Sequence, residues 1–114
     1  MYHSNKQHLL TLRSVVITAA VGLSACSTSD PDIAAGEAVF NQTCKVCHAG
    51  GINGAPIVGN KKMWQARADQ GLDTLVSHAT QGFGLMPARG GNESLSDEQI
   101  RQAVKYLLSR LDGE

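Results

Sequence analysis

At 114 residues the chain has room for one small domain, and its 42% hydrophobic and 18% charged content is that of a folded protein rather than a charged coil. Ten basic residues balance ten acidic ones, with no run of like charge and no basic patch, so nucleic acid is not an expected partner. From residue 26 onward eight basic residues face ten acidic ones, which leaves that part at −2.

The N-terminus reads as a targeting segment. Lys6 and Arg13 give a positive start, and the apolar run over residues 15–23 is too short to cross a bilayer, which takes about 20 residues. This is the shape of a secretory signal peptide over residues 1–25. Its end, Leu23-Ser24-Ala25-Cys26, looks like a lipoprotein processing box, in which the cysteine is acylated and becomes the new N-terminus. The alternatives for Cys26 are an ordinary cleavage that leaves a spare thiol, or a retained anchor helix over residues 14–25. An acyl chain would tether the chain to a membrane, each buried methylene adding about 0.8 kcal/mol. Residues 26–32 are then the lipidated N-terminus and a polar linker, and the six residues 27–32, fully extended, reach at most about 20 Å. The expected location is the periplasmic side of a bacterial cell envelope, with the domain at 33–114 held close to the membrane surface.

A first helix is predicted from Asp32, a good N-cap residue, through Phe40. Gly36 costs helix stability and lies four residues before Phe40 on the same face. Either another helix backbone crosses there, or it is a tolerated surface glycine; the crossing is the preferred reading. Next comes Cys44-Lys45-Val46-Cys47-His48, the attachment signature for c-type haem. On a helix, positions i, i+3 and i+4 share one face. Cys44 and Cys47 can therefore form thioethers to the two vinyl groups while His48 binds the iron as proximal ligand. A thioredoxin-like dithiol would sit in a βαβ context, and no strand pattern is present. A structural zinc site needs four ligands. Only Cys26 and His78 remain to complete one, and Cys26 has another role.

Residues 49–60 form a glycine-rich loop without the Gly-Lys-Ser/Thr ending of a phosphate-binding loop. Its small residues suit a backbone wrapped around a planar ligand, with Ile52, Ile57 and Val58 as apolar contacts. A second helix is predicted over residues 61–70, stopped by Gly71. It carries Trp64, whose indole N–H needs a partner if buried: a haem propionate or a core carbonyl. Arg67, three residues on, either reaches the same propionate or is a solvated surface arginine. A third helix over residues 72–80 has an apolar stripe of Leu72, Leu75, Val76 and Ala79, with Gly82 as its stop. His78 lies beside that stripe, and a structural role is the more common one for a lone histidine.

Residues 82–92 read as an extended, turn-rich loop in which Pro87 biases Met86 away from helical geometry. Met86 can present its sulfur to the iron, and a Met/His pair raises the haem potential. The competing reading makes it an apolar filler. The last helix is the best defined: Ser96 to Gln99 matches a capping box, with Leu95 and Ile100 as a hydrophobic staple. Ile100, Ala103, Val104, Leu107, Leu108 and Leu111 repeat at helical spacing, and Tyr106 falls off that stripe. This helix is expected to cross the first one at Gly36 and Phe40.

In this order, the helix with Gly36 and Phe40, Cys44 to His48, Pro56, Trp64, Met86-Pro87 and a capped C-terminal helix resemble class I cytochrome c. The segments Gly54-Ala55-Pro56, Gln70-Gly71, Met86-Pro87-Ala88-Arg89-Gly90-Gly91 and Leu95-Ser96-Asp97-Glu98 look like the bacterial cytochrome c5 branch. The resemblance covers residues 33–111. It implies an all-α fold of short helices wrapped around one covalently attached haem c, the N- and C-terminal helices crossing. It also implies His48 and Met86 as axial ligands of the iron, with the Pro56 carbonyl accepting the Nδ1–H of His48. Some c5-type proteins carry a cysteine pair near the C-terminal loop, and Gly90-Gly91-Asn92-Glu93 has none. Cys26 is not a usual family feature either.

The function implied is electron transfer between redox partner proteins, by a monomer that is not an enzyme. The rival readings are a haem-based gas sensor or haem enzyme with a displaceable Met86, and a structural lipoprotein without a cofactor.

Overall fold

The computed structural model describes residues 30–113. The expected signal peptide, the lipidation at Cys26 and most of the linker lie outside the described residues.

Helix α1 (Pro31–Val39) begins where an Asp30 carboxylate oxygen accepts the backbone N–H of Asp32 at 2.9 Å. Pro31 takes the first helical position, where its missing N–H would have had no partner in any case. The N-cap is thus Asp30, two residues earlier than the sequence suggested. Asp32 is left free to face α5 (Asp97–Ser109), where its carboxylate accepts from Gln102 Nε2 at 3.2 Å and pairs with the Lys105 ammonium. Beyond Val39 the helix does not stop. It widens into one π-turn over Phe40–Cys44, in which the Lys45 N–H donates to the Phe40 carbonyl, and resumes as α2 (Lys45–His48). Such insertions cluster at functional positions.

Helix α3 (Lys61–Ala68) is capped by Asn60, whose side-chain oxygen accepts from the Met63 amide at 3.1 Å. Helix α4 (Leu72–Gln81) is bounded by Gly71 and Gly82, both at φ near +90°. The expected capping box opens α5. The Ser96 hydroxyl accepts from the Gln99 amide at 3.2 Å, and the Gln99 side chain accepts from the Ser96 amide at 2.9 Å. Among the described residues the architecture is all-α, apart from one isolated antiparallel bridge between Phe83 and Met86. The all-α fold class is as expected.

The helices meet where α1 crosses α5. A Cβ built on Gly36 would lie 2.0 Å from the Gln102 carbonyl oxygen, so the two backbones touch and only glycine fits. One apolar cluster joins Val39 of α1, Leu75 and Ala79 of α4, Leu95, and Ile100, Ala103 and Val104 of α5. A second holds Phe40, Trp64, Tyr106 and Leu107. Tyr106 is buried rather than at the edge, its ring tilted against Phe40 at 5.3 Å. The π-turn follows directly on Val39, so the helix phase changes where Phe40 and Tyr106 meet.

Two predictions follow from the crossing. Gly36→Ala must push the helices apart, and overpacking of this kind costs about 1–3 kcal/mol. In a domain of this size the melting temperature should fall by about 4–8 °C for each kcal/mol. The second concerns pH. The Lys105 ammonium beside Asp32 holds its carboxyl below the usual carboxylate range, and Asp32 holds the ammonium above its own. The pair's contribution to stability is therefore complete between the two unfolded-state values. It fades on acidification through the depressed Asp32 value, and on alkalinisation through the raised Lys105 value. Urea midpoints against pH should show both limbs, and Asp32→Asn should flatten them.

Candidate functional site

Cys44 closes the π-turn, and Cys47 and His48 follow on α2. Cys44, His48 and Met86 line a single cleft, whose apolar walls come from α1, α4 and α5. Its empty space is about 350 Å³, part of it open to solvent.

His48 is 7% exposed. Its Nδ1 lies 2.8 Å from the Pro56 carbonyl oxygen. A carbonyl can only accept, so Nδ1 is the donor here, and Nε2 is the ring nitrogen left to meet a metal. The loop carrying Pro56 is tied at two further points: the Val58 amide donates to the His48 carbonyl at 2.8 Å, and Trp64 Nε1 donates to the Ile57 carbonyl at 2.8 Å. The rings of His48 and Trp64 stack with centroids 5.8 Å apart.

Met86 stands in a tight turn. The Phe83 amide donates to the Met86 carbonyl at 3.0 Å, and the Met86 amide returns the bond at 2.9 Å. Gly82 backs this turn: a Cβ there would meet the Ala88 nitrogen at 3.0 Å and the Met86 carbonyl oxygen at 3.1 Å. Pro87 is extended, which keeps Met86 off a helix. His78 stacks on Phe83 with ring centroids 4.1 Å apart, which gives it a structural partner at the base of the same turn.

Two residues offered with a haem-propionate alternative have other partners here. The Trp64 N–H is bound to the Ile57 carbonyl, the core-carbonyl alternative, and is not available to a propionate. Arg67 is exposed and donates to the Met63 carbonyl of its own helix at 2.6 Å, the solvated alternative.

One residue escaped sequence reasoning. Arg89 lines the cleft and holds the end of the Met86 loop, one guanidinium nitrogen on the Leu95 carbonyl at 2.5 Å and the other on Asp97 at 2.5 Å. It does so from a left-handed backbone, φ 54°, a conformation costly for a side chain of its size. The only signal was an acidic residue eight positions on, at the start of α5. Asn92 adds a tie to the π-turn through the Thr43 hydroxyl at 3.2 Å.

The chemistry of these groups discriminates between the readings. Burial pushes the Cys44 thiol up, the wrong direction for a reactive thiolate. Among the described residues no three His, Cys, Asp or Glu side chains converge as a metal cage. A thiol, an imidazole and a soft thioether on the walls of one apolar cleft, with a second thiol three residues after the first, fit a covalently attached haem.

Comparison with known proteins agrees. Residues 31–107 match the family described as cytochrome c oxidase, cbb3-type, subunit III. Cytochrome c-555 of Chlorobaculum tepidum is 45% identical over 83 residues, which are 69% of this chain and 77% of that one. Cytochrome c5 of Ectopseudomonas mendocina is 34% identical over 71 residues, 60% of this chain and 82% of its own. Among solved structures, a cytochrome c in an electron-transfer complex with nitrite reductase superposes with a TM-score of 0.66 at 38% identity. That match covers 72% of this chain and 96% of that one.

The chain belongs to the cytochrome c family, whose homologues here are class I monohaem electron carriers. It binds one haem c with its iron, as its homologues do, and Cys44 and Cys47 fit the attachment motif.

A haem held in this cleft would lie among Val39, Ala79, Leu95 and Ile100 and would complete the core. About eighty residues otherwise make a marginal core. Cys44→Ala combined with Cys47→Ala should therefore give a largely unfolded chain, read as loss of the helical far-ultraviolet circular dichroism.

Proposed function

We propose that the protein is a one-electron carrier of the bacterial cell envelope, its iron held between His48 and Met86 and cycling between ferrous and ferric states. The observation that carries this reading is the shared cleft: a buried histidine with a free Nε2 and a turn-locked methionine stand on the walls of one apolar space. Haem supplies the redox chemistry. The chain's own residues supply two axial donors and a low-polarity enclosure. Two protein ligands leave the iron no open position for a substrate, so the reaction is electron transfer and the protein is not an enzyme.

Redox partner proteins deliver and remove the electron. The similarity to a cytochrome c solved in complex with nitrite reductase supports a protein partner, without naming it for this chain. Carrier complexes of this kind use small interfaces, below about 1,200 Å². With a near-balanced charge there is little to steer docking, and the reaction with a partner should depend weakly on salt. The working form is a monomer on the periplasmic side, tethered by an acyl chain on Cys26. The processing box at residues 23–26 supports this last element. Intact-mass measurement of the exported protein should show haem and lipid together.

A carbon monoxide titration separates the carrier from a gas sensor. The reduced protein should refuse carbon monoxide, and Met86→Ala should bind it readily. Ready binding by the unaltered protein would favour the sensor.

A further inference from the structure

We propose that Trp64 is a positioning residue for the axial histidine: through Ile57 it holds the Pro56 carbonyl against His48 Nδ1, and so sets the donor strength of the imidazole. This rests on the reading of His48 as the proximal ligand.

The physical problem is one of placement. An axial histidine donates more strongly to iron when its other N–H is held by a good acceptor, and the strength of that bond depends on where the acceptor sits. Here the acceptor is on a segment poorly suited to hold anything still. Gly51, Gly54 and Gly59 all have φ between 74° and 77°, and Asn53 is left-handed at 53°. Pro56 has no N–H of its own with which to anchor itself.

The anchors are its neighbours. Val58 is bonded to the His48 carbonyl, which ties the loop to the helix it must position but to nothing outside that pair. The Ile57–Trp64 bond is of a different kind. Trp64 is 5% exposed and packs with Phe40, Tyr106 and Leu107, the residues at the crossing of α1 and α5. Its indole is a donor only, and its one N–H is given to Ile57. The ring also stacks on His48. One side chain rooted in the rigid core thus fixes the residue beside Pro56 and limits the tilt of the imidazole. A tryptophan that merely filled space would be replaceable by any large apolar ring. A positioning tryptophan needs the N–H as well.

Trp64→Phe keeps most of the ring and removes the donor. In the haem-loaded protein, exchange of the His48 Nδ1–H with solvent, followed by nuclear magnetic resonance of the reduced state, should accelerate about tenfold, as expected for loss of one buried hydrogen bond. The midpoint potential should rise, because a slackened Pro56 contact makes the imidazole a weaker donor and favours the ferric state less. Wild-type exchange and wild-type potential in a folded variant would overturn the proposal. A measurement on the unaltered protein needs no variant. The Trp64 Nε1–H and His48 Nδ1–H should exchange through one shared opening, with matching protection across temperature. A Trp64 proton exchanging freely while that of His48 stays protected would also overturn it. The ligation reading fails separately: His48 ring resonances without haem-induced shifts in the wild-type protein would remove it, and this inference with it.

Discussion

The contact on which the structure depends is the one where α1 and α5 touch backbone to backbone at Gly36. Both walls of the haem site hang from it. On one side α1 continues through the π-turn into α2, so the position of Cys44, Cys47 and His48 is set by where α1 lies. On the other, the first turn of α5 holds the Met86 loop through Arg89, which grips Leu95 and Asp97. A change in the distance between the two helices is therefore a change in the distance between the histidine wall and the methionine wall. The Asp32 pair with Lys105 and the tilted rings of Phe40 and Tyr106 lie along the same contact and hold its register.

Parts of this were legible in the sequence because they are local. The Ser96 capping box is a four-residue pattern, and its chemistry works wherever it occurs. The haem-attachment motif is five residues long. Gly36 could be read because a glycine inside a helix has a cost that something must offset, and a close crossing is the usual reason. The misplaced first cap shows the limit of such reading: Asp30 and Asp32 are equally good caps by composition. What separates them is that α5 supplies Gln102 and Lys105 to the second, seventy residues away in sequence. The π-turn had no pattern to read. Its single extra residue is favoured by the packing of Phe40 against Tyr106, not by any preference of Asn41, Gln42 or Thr43.

Trp64 and Arg89 were obscured for a related reason. Each makes polar contacts whose partners are backbone carbonyls, at Ile57 and Leu95 respectively. Carbonyls are present at every residue, so the sequence carries no mark of which one will be used. A pairing with a propionate looked as good for Trp64 as a pairing with the backbone. Arg89 could be found only once its left-handed backbone and its place between the loop and α5 were visible. Backbone strain of that kind costs of order 1–3 kcal/mol and persists where the surroundings over-determine it. Its two-point grip and ion pair with Asp97 are such surroundings.

The two walls differ in mechanical character, and this bears on what the site can do. The histidine side is buried, stacked on Trp64 and tied through three consecutive residues to α2 and the core. The methionine side is a tight turn at the surface, with Phe83 and Leu85 exposed at 62% and 77%. Its fixings are two backbone bonds, a ring stack with His78, and the reach of Arg89 to α5. Local opening draws on the least buried contacts first. Under stress the turn must yield before the histidine loop, so Met86 would leave the cleft while His48 and the cysteine motif keep their places. The asymmetry is built into the order of the chain. The attachment motif and its histidine are adjacent in sequence and share one helix, whereas the methionine has to be brought from 38 positions further on and held there by α5.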